Sequence, residues 1–350
     1  MVDIRALRLI LCAIGLGACG REAAAPADSG TSETELPGET SAADDVAAAI
    51  DAGLDVETVA EVARDVESDG QIAADPDGEA EADVRADGAE VVVDLGACRV
   101  VKSDRVPLPE ASGAALIDAE GTRILLVADS GNEGQALVID LVAGRSSATR
   151  LPLGAGAGDD VEGLERAPDG RIFGLTSAGF LRAWRPDGDA FSLVLGPVAV
   201  SADPAWVCDP FGVNCAANFE GLCLHPAPEA GECAGWAAAK ATGELVCLVV
   251  EGEGYRLDPS RRVAVTDPDR LSGCAFEPVS PFRLVAAGNL VSASAIWEID
   301  ADGTAIELAE RGAGNQEAIL LLSGGRLHSL GDAQDFLESE SPRIIMECVR

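Results

Sequence analysis

The sequence predicts an all-β fold: a β-propeller of five blades in which the N-terminal strand of the domain completes the last blade. Three observations lead there: short apolar runs of strand length separated by turn signals, no helical period of useful length, and a short motif that returns five times at blade-sized intervals.

Runs such as Arg123-Ile124-Leu125-Leu126-Val127, Ala136-Leu137-Val138-Ile139 and Ser192-Leu193-Val194-Leu195 alternate with Asp118-Ala119-Glu120-Gly121, Pro168-Asp169-Gly170, Pro186-Asp187-Gly188 and Asp302-Gly303. Asp supplies a local acceptor and Gly the positive φ that tight turns need. A domain of about 255 residues built this way is expected to be a propeller, a β-helix or a large sandwich. Repeats decide between them. Ser112-Gly113-Ala114-Ala115-Leu116, Glu162-Gly163-Leu164, Glu220-Gly221-Leu222-Cys223-Leu224, Ser272-Gly273-Cys274-Ala275-Phe276 and Glu317-Ala318-Ile319-Leu320 each open a unit of roughly 35 to 55 residues, the range of a four-stranded blade. The fifth unit runs out after its third strand, Pro342 to Arg350, while a surplus strand, Cys98 to Leu108, precedes the first. Placing the surplus strand in the last blade removes an unpaired edge. It also sets Cys98 and Cys348 where the third and fourth strands of that blade meet.

Ahead of the propeller, assigned to residues 96–350, lie two other segments. Residues 1–18 read as a signal peptide: Arg5 and Arg8, then an apolar run from Leu9 to Ala18 about half as long as a spanning helix requires. Leu16-Gly17-Ala18-Cys19 resembles the lipobox of bacterial lipoproteins. The resemblance implies cleavage before Cys19, a lipid on its thiol and, with Gly rather than Asp at residue 20, sorting to the outer membrane. Membrane contact is then expected through Cys19; an ordinary secretory signal cut near Ala18 is the alternative. Residues 19–95 lack Phe, Trp and Tyr and, from Gly20 to Asp94, hold about 22 acidic residues to 3 basic ones. Such a stretch buries too little apolar surface to offset chain entropy and repels itself, so it reads as a disordered tether.

Across the chain, 60 Asp and Glu against 25 Lys and Arg leave a net charge of -35. Nucleic acid is excluded as a partner, because an acidic surface repels phosphate and there is no basic stripe. Hydrophobic residues make up 47% but aromatic ones only 4%, so a core of Ala, Val and Leu is expected.

At the blade openings the chain resembles the SdiA-regulated family of bacterial β-propellers, itself akin to the phytase-like propellers. Those blades open with Ser-Gly-Leu-Ala or Glu-Gly-Leu/Ile-Ala, and their second strands end in Ser-Asp, Ser-Glu or Lys-Glu. Ser112, Glu162, Glu220, Ser272 and Glu317 follow the order of serine and glutamate that the resemblance implies. At the second-strand ends Asp129 and Asp332 keep an acid and Lys240 is retained, whereas Ser177, Ala241 and Asn289 depart from the pattern. Those departures weaken any inherited metal or catalytic site.

First strands of propeller blades line the channel, so Glu162, Glu220 and Glu317 are expected to converge, with Asp129, Asp332 and Asp160 nearby. Carboxylates gathered in one tunnel need a cation or retained protons. Hard oxygen ligands without a His cluster favour Ca²⁺, the expected cofactor. The alternative is that they bond to backbone N–H groups or are hydrated, with no specific metal. Asp300-Ala301-Asp302-Gly303 lacks the Gly and Glu positions of an EF-hand and reads as a hairpin turn. Gly154-Ala155-Gly156-Ala157-Gly158 lacks dinucleotide spacing. His225 and His328 read as structural, and Trp184, Trp206, Trp236 and Trp297 mostly as packing residues.

Setting aside Cys12 and Cys19, eight cysteines remain, an even number that fits export and disulfides. The expected pairs are Cys98–Cys348, Cys208–Cys215, Cys233–Cys247 and Cys223–Cys274. The function expected is that of an exported, lipid-anchored, monomeric binding or scaffold protein for a protein or small-molecule ligand. The alternative is a metal-dependent phosphoesterase or esterase, implied by the likeness to phytase-like propellers; it is short of cations, because the repeat places only Lys240 at a channel position. A sugar-binding propeller would need an aromatic-lined mouth, for which 4 Trp, 1 Tyr and 8 Phe are few.

Overall fold

The computed structural model describes residues 93–95, 97–290, 293–312, 315–331 and 339–348. The predicted signal, nearly all of the tether, Cys19 and Asp332 lie outside the described residues.

Twenty-one strands and no helix make up the described chain. β1 (Val93–Leu95) and β2 (Cys98–Val106) come first in sequence but belong to the last blade. Blade 1 is β3 (Ala111–Leu116), β4 (Arg123–Ala128), β5 (Gln135–Asp140) and β6 (Arg145–Arg150). Blade 2 is β7 (Val161–Arg166), β8 (Ile172–Thr176), β9 (Phe180–Asp187) and β10 (Ala190–Ala199). Blade 3 is β11 (Phe219–Leu224), β12 (Gly235–Ala239), β13 (Glu244–Glu251) and β14 (Gly254–Ala264). Blade 4 is β15 (Leu271–Phe276), β16 (Leu284–Asn289), β17 (Ala293–Ile299) and β18 (Ala305–Gly312). Blade 5 is β19 (Gln316–Leu321), β20 (Arg326–Gly331) and β21 (Ser341–Cys348), followed outward by β2 and β1. The five-bladed propeller closed by its N-terminal strand is therefore the observed fold. β2 pairs antiparallel with β21, Cys98 opposite Cys348. β1 is a fifth strand in this blade, starting three residues before the predicted domain boundary; Val93 and Leu95 pair with Val100 and Cys98.

Five apolar clusters hold the ring, one in each interface between neighbouring blades. Their makeup follows the composition: Ala, Leu, Val and Ile dominate, and the few large rings are fitted among them. Trp184 fills the interface of blades 1 and 2, its indole N–H donating to Pro152 O at 2.7 Å. Gly174 beside it accommodates the ring, since a Cβ there would stand 2.7 Å from the indole. All four expected disulfides are present. Cys98–Cys348 ties the closing strand, and Cys223–Cys274 crosses from blade 3 to blade 4. Such cross-links suit an oxidising, extracytoplasmic compartment. Among the described residues no helix is long and apolar enough to cross a membrane.

The innermost strands β3, β7, β11, β15 and β19 touch one another in turn, and β19 returns to β3. In every blade the pairing of first with second strand shifts register at the same place, between Ala111 and Gly113, Val161 and Gly163, Phe219 and Gly221, Leu271 and Gly273, and Gln316 and Ala318. The residue skipped is the Ser or Glu of the opening motif. A bulge re-aims a side chain and ends regular pairing, so the repeat seen in sequence is a repeated bulge in the structure.

Candidate functional site

The bulged residues and their neighbours surround a constriction on the ring axis, lined by Ser112, Glu162, Glu220 and Glu317 together with the adjoining small residues. Its free volume of about 10 Å³ is close to the space for one water. The glycines after the bulges set this narrowness. A Cβ on Gly221 would lie 2.9 Å from Gly273 Cα, and one on Gly163 would run into the backbone of Gly221 and Leu222.

Within this frame the three predicted glutamates are not equivalent. Glu220 accepts from Lys240 Nζ at 3.0 Å, an ion pair anchored in the connection after β12. Glu162 instead joins Asp129 and Asp160, and an oxygen of each lies within 4.8 Å of the others. The cluster thus sits on the blade 1 and blade 2 side of the axis. Asp129 follows β4, Asp160 ends the connection into blade 2, and Glu162 is the bulged residue of β7. Glu317 lines the same constriction.

Asp160 is fully buried. Ser177 Oγ donates to its Oδ2, and its Oδ1 has no hydrogen-bond partner. Ser177 therefore supplies a neutral donor to the buried carboxyl. Asn289 clamps the start of β19, its Oδ1 accepting from Gln316 N and its Nδ2 donating to Gln316 O, both at 2.9 Å.

Electrostatics follow from this burial. Desolvation, with Asp129 adding repulsion, pushes the Asp160 carboxyl up to about 7. Glu162 is pushed well above the usual carboxylate range by burial first and then by Glu220, Asp129, Asp160 and Glu317. Burial raises Glu220 as well, against the pull of Lys240. Burial opposes the charge on Lys240, but Glu220, Glu317 and Glu162 outweigh it and raise its pKa. A site so poised keeps protons when nothing neutralises it and releases them to a cation. Its donors are hard carboxylate oxygens, and Asp160 Oδ1 is buried with no N–H or hydroxyl donor facing it, shared only with the carboxyls of Asp129 and Glu162, so the residues fit Ca²⁺.

One residue of the site carried no signal in the sequence. Arg182, in β9, is completely buried, with Nε donating to Leu153 O at 2.8 Å and Nη2 to Ala157 O and Gly158 O at 2.9 and 2.7 Å. It organises the Gly154–Gly158 loop that leads into Asp159 and Asp160. Gly154 and Gly156 take φ of 69° and 108° there, which explains the glycine run that had no dinucleotide role. The connection from blade 2 to blade 3 is braced by Cys208–Cys215 and joined to this loop by Gly158 N–H donating to Pro210 O at 2.8 Å.

Comparison with known proteins adds little chemistry. No protein-family model matches the sequence, and no curated protein does. Among solved structures, a protein assigned as a 6-phosphogluconolactonase from Bacteroides uniformis is 12% identical over 67% of this chain and 82% of its own, with a TM-score of 0.39. A protein assigned as a glucose-dehydrogenase oxidoreductase from Thermus thermophilus is 14% identical over 70% of this chain and 99% of its own, with a TM-score of 0.40. A luciferin-regenerating enzyme is 8% identical over 69% and 94%, with a TM-score of 0.39. No activity transfers across likenesses this distant, and the chemistry of this chain is argued from its own residues.

Proposed function

We propose that the protein is an exported, lipid-anchored β-propeller that holds Ca²⁺ at the Asp129–Asp160–Glu162 end of its channel and acts as a binding or scaffold module. The observation that carries this reading is the gathering of one carboxylate oxygen each from Asp129, Asp160 and Glu162 within 4.8 Å of one another, with no N–H or hydroxyl donor facing the buried Asp160 Oδ1. The two blades that supply these residues would be linked through the ion, so calcium would rigidify that end of the ring. The lipobox-like Leu16-Gly17-Ala18-Cys19 and the four disulfides support the exported assignment. Catalysis on phosphate esters is the weaker reading. Lys240 is engaged by Glu220 and Arg182 by backbone carbonyls, and the constriction leaves no room for a substrate on the axis.

Thermal unfolding of the full chain in calcium and in chelator tests the proposal. A ligand that binds only the folded state at about 100 times its Kd contributes about 2.7 kcal/mol, a rise of roughly 5–10 °C for a domain of this size. Asp160→Asn should abolish the rise. A melting temperature unmoved between chelator and millimolar calcium ends the calcium assignment. Membrane fractionation of Cys19→Ser tests the anchor: the variant should stay unprocessed or become soluble, and unchanged fractionation with normal processing removes it.

A further inference from the structure

We infer that the groove between blades 3 and 4, on the face of the ring opposite the acidic cluster, binds a neutral sugar ring. His225, Glu232 and Phe282 lie in the connections between first and second strands of these blades, and Asp300 lies in the hairpin between the third and fourth strands of blade 4. Asp129, Ser177 and Lys240 follow second strands, so in antiparallel blades they leave the sheets at the other end. The groove has a volume of about 870 Å³, within the range of about 300–1,000 Å³ usual for ligand sites.

Its walls combine ring faces with polar groups of both kinds. Trp236, Phe276 and Phe282 provide apolar surface, and His225 packs edge-on between the two phenylalanines at 5.0 Å from each. His225 Nδ1 accepts the Ala227 N–H at 3.1 Å, which places the imidazole proton on Nε2 and leaves that nitrogen a donor. Burial lowers the basicity of the ring, with Glu232 pulling the other way. The Trp236 indole N–H is a second donor. Glu232 and Asp300 bring carboxylate acceptors to the rim, and neither side chain makes an ion pair among the described residues.

Aromatic surface, N–H donors and carboxylate acceptors together match a pyranose, which offers apolar C–H surface and hydroxyls that both donate and accept. A purely apolar ligand would leave the donors and acceptors unpaired, at a cost. An organic cation would suit the carboxylates but would meet two N–H donors with no acceptor of its own. Arg261 and Arg283 at the same groove are held by Asp258 and Glu298, so an anionic ligand finds no free guanidinium. Three of the chain's aromatic residues, Trp236, Phe276 and Phe282, thus line this groove, away from the channel.

Titration of the full chain with glucose, galactose, N-acetylglucosamine and cellobiose, read by tryptophan fluorescence and calorimetry, tests the assignment. At least one should give a saturable response with a Kd in the millimolar range or tighter. Asp300→Asn and Glu232→Gln should each weaken that binding roughly tenfold with the melting temperature unchanged, because neither side chain supports the fold. Trp236→Phe should remove the fluorescence response while the calorimetric signal is reduced. No saturable response to any of the four overturns the proposal, as do tighter binding of choline than of every sugar and an affinity indifferent to both carboxylate variants.

Discussion

Cys98 and Cys348 stand directly opposite each other in the pairing of β2 with β21 and are joined by a disulfide that spans 250 residues. One covalent bond thus links the two strands whose meeting closes the ring. By loop entropy a closure of this length stabilises by on the order of 5 kcal/mol. Cys98→Ser/Cys348→Ser should lower the denaturant midpoint accordingly and expose β1 and β2 to limited proteolysis first. A loss below about 1 kcal/mol would show that strand pairing alone holds the closure.

Two glycines at equivalent blade positions should respond unequally to alanine. A Cβ at 163 collides with the backbone of blade 3, whereas at 273 its nearest neighbour is Glu317 O at 3.7 Å, ordinary contact. Gly163→Ala should cost about 1–3 kcal/mol or more from forced backbone shifts, while Gly273→Ala stays close to neutral. Equal effects in parallel denaturation experiments would show that the inner ring relaxes freely.

Stability without metal should fall as pH rises. Unfolded carboxyls ionise near pH 4, but burial holds the Asp160 proton up to about 7 and that of the fully buried Glu165 up to about 8. Between those limits these two carboxyls bind fewer protons in the unfolded chain and favour unfolding as the pH rises from about 4 to about 8, while buried His328, held down to about 4, works in the opposite direction below about 6.5. Each of the two groups contributes at most about 1.4 kcal/mol for every pH step of one that lies between its unfolded and folded pKa. Calcium should flatten the slope by taking the place of the proton at Asp160. Chelated protein that gains stability from pH 5 to pH 8 contradicts this account.

Breaking the Lys240–Glu220 pair should hurt more than removing it. Lys240→Met leaves a carboxylate that is 3% exposed without its cation, a loss of about 3–5 kcal/mol at pH 8 for a buried pair. The loss should shrink at pH 5, where Glu220 can take a proton. Lys240→Met/Glu220→Gln should recover most of it; a double variant no better than the single one would place the cost in lost packing of the lysine stem.

Much of the architecture was legible because it is written in local patterns. Period-two apolar runs, turn residues and five returning openings specify strands and blade count. The shortage of one strand at the end, matched by a surplus strand at the start, determines how the ring closes and which cysteines meet. Tertiary structure decided what depends on packing between blades. The sequence presents Glu162, Glu220 and Glu317 as equals, yet Lys240 reaches only one of them and Asp129 and Asp160 gather around another, because each neighbour comes from a different connection. Ser177 reads as a lost acid until folding places its hydroxyl on Asp160, and Arg182 reads as one more strand residue until three carbonyls of a glycine loop close around it. His225, Trp236 and Phe282 likewise become one groove only when blades 3 and 4 pack side by side. Hydrophobic periodicity is a property of neighbours along the chain, whereas a site is made of charge, burial and hydrogen bonds between residues that only the closed ring brings together.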